Sequence, residues 1–170
     1  MNLILEDGTG LETANSYASV AEADAYHDSR LHSLAWTAAT TPVKERALAM
    51  ATTTLDAMTA WQGSRASAAQ ALAWPRTGAI YDGLLVEDMV PAPVKRATAE
   101  LARLLIGEDL TQDVAQNNVE SLNLGDGALE IKLRGDREKK RVPSIVGELL
   151  LGLGNLTGGS RGINQRKVTR

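Results

Sequence analysis

The chain has 170 residues, of which 44% are apolar and 23% charged, with a net charge of −3. This composition fits one globular domain with arms and is too apolar for wholesale disorder. The negative charge excludes a general attraction to nucleic acid, the lack of cysteine excludes disulfides and thiolate metal sites, and the apolar run "IVGELLLGLGNL" is too short to cross a bilayer.

"MNLILEDGTG" has neither a basic start nor a long apolar segment, so it does not read as a secretion signal. Residues 1–16 predict an N-terminal strand or extended arm. Ser19, with Glu22 three residues on, forms a capping box and predicts a helix from Val20 to about His27. "HSLAWTAATT" is a connector whose Trp36 turns inward. Thr41 as cap and Pro42 at the first helical position open a second helix. In it Leu48, Ala51, Leu55 and Met58 share one face, and Ala47, Met50, Thr54, Ala57 and Trp61 form an adjoining stripe. Gly63 is its expected stop. Pro91 and Pro93 fix the start of a third helix, with Val94, Ala97, Leu101 and Leu104 on its apolar face and Gly107 at its end.

The expected fold is therefore mostly α: a small antiparallel helical bundle over residues 17–110. After it, residues 111–154 alternate apolar and polar positions around Asp126-Gly127. They predict a β-hairpin of Val119 to Leu124 and Ala128 to Leu133, followed by a short helix from Ser144 to Leu153. Residues 155–170 hold four basic residues and no acid, and predict an extended C-terminal arm or flexible docking tail. Aromatic residues are scarce, with three Trp, three Tyr and no Phe. A core of Ala, Leu and Val buries modest area per residue, so stability gained through an oligomer is expected.

Catalytic chemistry finds no support. His27 and His32 are five residues apart, lie on different sides of a helix and have no HExxH context, so they are not read as a metal pair. "GDGALEIKLRGD" lacks the GK[ST] ending of a phosphate loop, and no serine sits in GxSxG. No catalytic, cofactor-binding or metal-binding residue is assigned, and the chain does not read as an enzyme.

Two features stand above this background. In "ALAWPRTGA", Trp74, Pro75 and Arg76 place a large ring beside a permanent cation on a stiffened connector. They serve either to brace the fold or to make a subunit contact. In the tail, Arg161, Arg166, Lys167 and Arg170, with Ile163 and Val168 as apolar anchors, form a candidate partner-binding segment. "KLRGDREKKR" carries six basic residues against two acids. It is the best argument for nucleic acid, although a solvated hairpin edge explains it equally.

The order of "ANSYASVAEADAYHDSR", a Trp, "KERALAMATTTLDAMTAWQGSR", "QALAWPRTG", a Gly and "VP..VKRATAELA" resembles the head-to-tail connector, or adaptor, proteins of tailed bacteriophages. The same stretch, about residues 14 to 106, resembles a family of DnaT-like single-stranded-DNA-binding proteins. The adaptor resemblance implies a ring, commonly of twelve copies, on the portal protein. Such a ring extends the DNA channel and offers a platform to a tail-side connector or tail protein. It further implies a place in the virion neck, reached from the host cytoplasm, with packaged DNA passing through unbound. The bundle would be about residues 17 to 106 and the portal-docking arm about 155 to 170. No membrane contact, cofactor or catalytic residue is implied. The alternative is single-stranded-DNA binding.

Overall fold

The computed structural model describes residues 1–108, 119–125, 128–133 and 144–157, the strands between 119 and 133 by their backbone alone. The helices are α1 (Val20–Asp28), α2 (Leu34–Thr37), α3 (Thr41–Met58), α4 (Ala92–Gly107) and α5 (Ser144–Leu149). The strands are β1 (Thr59–Trp61), β2 (Ser64–Arg65), β3 (Arg76–Thr77), β4 (Ala79–Tyr81), β5 (Leu84–Val86), β6 (Val119–Gly125), β7 (Ala128–Leu133) and β8 (Gly154–Leu156). They pair as four two-stranded antiparallel sheets, β1–β8, β2–β3, β4–β5 and β6–β7.

This corrects the expectation of a mostly α antiparallel bundle. The connector between α3 and α4 is folded into five short strands. The helices also depart from bundle geometry: Glu22 meets Lys95, His27 meets Ala99 and Arg30 meets Glu100, so α1 and α4 run in the same direction. The architecture is α+β, two long helices dressed by small sheets.

Local chemistry accounts for the helices. Ser19 accepts from the Glu22 N–H at 3.2 Å and Glu22 returns a bond to the Ser19 N–H at 2.8 Å, the reciprocal capping box. The cap of α3 is Thr40, one residue before the expected Thr41, and its side chain makes no capping bond; Pro42 lies in the first turn. This helix ends at Met58, not at Gly63. Thr59, Ala60 and Trp61 instead pair with Leu156, Asn155 and Gly154, far along the sequence. The final helix is likewise shorter than expected, and the first residues of the supposed tail, through Leu156, belong to β8.

The core sits between α3 and α4. Leu48, Ala51 and Leu55 face Val94, Ala97 and Leu101, and the cluster takes in Trp36 near the start of α3, Tyr17 near its end, and Val146, Leu150 and Leu153. The N-terminal arm folds back on its own chain through a parallel bridge between Leu5 and Ser16.

Candidate interaction surface

Tyr17, just before α1, and Asp56, near the end of α3, are 39 residues apart and share a hydrogen bond of 2.6 Å. The second Asp56 carboxylate oxygen accepts from the Ala73 N–H at 2.9 Å, and the Tyr17 hydroxyl accepts from the Trp74 N–H at 3.1 Å. Burial pushes the Asp56 carboxyl above the usual carboxylate range despite these donors. Burial, reinforced by the negative Asp56, drives the Tyr17 phenol far above its ordinary value. Helix ends and connector are thus tied through one buried polar node.

Trp74 is completely buried and meets Trp61 of β1 edge-on, centroids 5.9 Å apart. Its indole N–H has no partner among the described residues. The Trp74–Pro75 peptide is cis. The Arg76 guanidinium is folded under the connector. It donates to the carbonyls of Gln62, Ala73 and Gly63, the last two at 3.0 and 2.7 Å. Arg65 donates to the Gln70 and Leu72 carbonyls, and the Gln70 amide to those of Leu72 and Pro75. Gly63 has a φ of +68°, and a Cβ there would strike the Thr77 carbonyl. Trp74, Pro75 and Arg76 are therefore all interior, with contacts inside the chain of the kind a brace would make.

What the brace holds out is the β4–β5 hairpin, reached from β3 through Gly78. Asp82 and Gly83 both have positive φ, 51° and 77°, the two-residue turn whose twist matches paired strands. Ala79 opposes Val86, Ile80 opposes Leu85 and Tyr81 opposes Leu84. Ala79 and Tyr81 turn toward the core, so Ile80 and Leu85 form the outward pair, 54% and 58% exposed, with Leu84 overhanging at 72% and Met89 beyond the strand at 53%. Asp82, Glu87 and Asp88 are exposed on the same segment, which carries no basic residue from 78 to 94.

The N-terminal loop supports the hairpin's exit. The buried Glu6 carboxylate accepts the N–H groups of Gly8, Gly10 and Leu11 at 2.9, 2.8 and 3.0 Å. Gly8, at φ +103°, lies so close to the Asp88 carbonyl that no Cβ would fit. The hairpin went unread in the sequence, although Asp82-Gly83 between two apolar triplets carries the turn signal.

His27 is buried between Tyr26 and Trp36, with ring centroids 5.0 Å from each, and its Nε2 donates to the Ala99 carbonyl at 3.0 Å. His32 is exposed. Among the described residues no three His, Asp or Glu side chains converge on a metal position. An open groove of about 530 Å³ runs between α1, α4 and α5, crossed by the Lys95–Glu22 ion pair at 2.7 Å. Lys44 binds Asp24 at 2.8 Å, and Arg30 and Arg103 both bind the buried Glu100. The tail residues Arg161, Ile163, Arg166, Lys167, Val168 and Arg170 lie outside the described residues, as do the side chains of "KLRGDREKKR".

Residues 1–170 match the family described as "Putative DnaT-like ssDNA binding protein". The chain belongs to that family. No curated protein and no solved structure matches it. The DnaT-like match spans the capped helix α1, the WPR brace and the hairpin alike, so the family covers the whole surface built above. No described helix is long and apolar enough to cross a membrane.

Proposed function

We propose that this DnaT-like chain is a structural subunit, a head-to-tail adaptor that assembles as a ring on the portal protein of a tailed phage. In this role it extends the DNA channel and presents a platform to the next tail component. One observation supports this reading over nucleic-acid binding: no aromatic side chain of the chain is exposed. Tyr17, Trp36 and Trp74 are fully buried, and Tyr26, Trp61 and Tyr81 are half-buried in packing contacts. A sequence-tolerant single-strand binder stacks bases on exposed rings, and this body offers none. It offers instead an exposed apolar hairpin on a rigid support, the kind of surface that subunit and partner contacts use.

The test is to mix the full chain with the purified portal complex of a tailed phage that carries it and image the mixture by cryo-electron microscopy. Added ring density beneath the portal is expected; portals left bare at saturating protein would remove the adaptor reading. The second reading, single-stranded-DNA binding, is favoured by the family's description and by the six basic residues of 132–141. Fluorescence anisotropy with a labelled oligonucleotide at low and physiological salt separates the two.

A further inference from the structure

We propose that the β4–β5 hairpin is the docking surface for the chain's own segment 158–170, forming an intramolecular latch. This inference stands independently of the adaptor reading. The outward face of the hairpin carries Ile80 and Leu85, with Leu84 at its tip on the other face and Met89 beyond the strand, on a segment with three acids and no base. Among the described residues, Asp82, Glu87 and Asp88 have no salt-bridge or side-chain hydrogen-bond partner. Segment 158–170 has the complementary composition: Arg161, Arg166, Lys167 and Arg170, no acid, and Ile163 and Val168 to meet the apolar face. Opposite charges steer and select such a contact, while the apolar residues supply its adhesion.

Position makes the contact intramolecular. The segment departs from Thr157, whose N–H and hydroxyl both donate to the Met58 carbonyl at 2.7 and 2.9 Å. Five residues earlier, Gly152 sits against the hairpin itself: a Cβ there would lie 3.6 Å from the Tyr81 ring. Leu151, next to Gly152, is 65% exposed. The five residues from Gly152 to Thr157 span at most about 18 Å, and thirteen residues at full extension reach about 40 Å. Tethering sets the local concentration of the segment near the millimolar range, well above that of a second copy in dilute solution. The latch covers the exposed leucines and withholds the basic segment from other partners until one of them outcompetes the hairpin.

Trypsin cleavage of the full-length protein, followed by mass spectrometry at the Arg161 and Arg166 bonds, tests this. Cleavage follows the population of the open form, so a docked segment is cut about tenfold more slowly than an open one. Leu85→Ser combined with Glu87→Lys changes two exposed positions on the hairpin and leaves the core intact, which circular dichroism checks. Slow cleavage in the parent chain, about tenfold faster in this variant and independent of protein concentration, is the expected result. Equal rates in the two proteins, whether fast or slow, would overturn the latch. Protection that rises with protein concentration would also overturn it, because the occupant is then another copy's segment.

Discussion

Asp56 joins three parts of the chain that are distant in sequence, and its worth can be separated from that of its partner. Asp56→Ala leaves both the Tyr17 hydroxyl and the Ala73 N–H without their acceptor. Two buried donors stranded in this way cost about 3 kcal/mol together. Tyr17→Phe removes only the hydroxyl that bridges Asp56 to the Trp74 N–H, and should cost about 1–2 kcal/mol. Urea denaturation of both variants is expected to rank them in that order; a Tyr17→Phe effect larger than that of Asp56→Ala would contradict this account of the node. His27 supplies a pH dependence. Burial holds its imidazole below the ordinary histidine range, against the pull of the Ala99 carbonyl. Unfolded, the ring titrates near about 6.5. Above that pH both states are neutral and the fold keeps its full stability. Below it the unfolded chain takes up a proton that the native ring refuses, so stability falls, by at most about 1.4 kcal/mol per pH unit from this group. His27→Gln should flatten that part of the profile between pH 7.5 and 5.5. At this scale the sequence was informative where chemistry is local: the Ser19–Glu22 box needs only neighbours. It was silent on Asp56, whose partners are set by tertiary packing.

At the scale of elements, the helices were legible because α3 and α4 carry long apolar periodicity. The short strands were not. β1 through β5 are two or three residues each, too few for an alternating pattern to stand out, and β1 finds its partner only in β8. Trp61 shows the consequence. Its spacing from Ala57 continues the helical stripe, yet the strand pairing wins and ends the helix at Met58. The pairing depends on the lack of a side chain at Gly154. A Cβ there would come within 2.7 Å of the Thr59 Cγ2 and 3.0 Å of the Trp61 ring. Gly154→Ala should therefore push β8 from β1 and cost about 1–3 kcal/mol, the usual penalty for overpacking. Thermal unfolding would measure it. An unchanged midpoint would mean that the strand pair yields without cost.

At the scale of the whole molecule, the separation of rings from cations decides what the chain can do with nucleic acid. The rings are spent in the core. Among the described residues, Arg30, Lys44, Lys95 and Arg103 are committed to acids, and Arg65 and Arg76 to carbonyls. Apart from the exposed Arg46 and Arg96, any single-strand affinity must then come from the basic residues of 132–141 and 161–170, without stacking. Such binding is counterion release alone, and engaging the ten cations of 132–141 and 161–170 gives a log–log salt slope of about −7. Anisotropy should therefore show weak binding at low salt that disappears at physiological salt. Replacing Lys139, Lys140 and Arg141 by Gln should reduce both the affinity and the slope, while Trp61→Leu should leave both unchanged. Binding that survives physiological salt and falls on Trp61→Leu would require a ring to leave its packing and stack on a base. That result would set the single-strand reading above the adaptor.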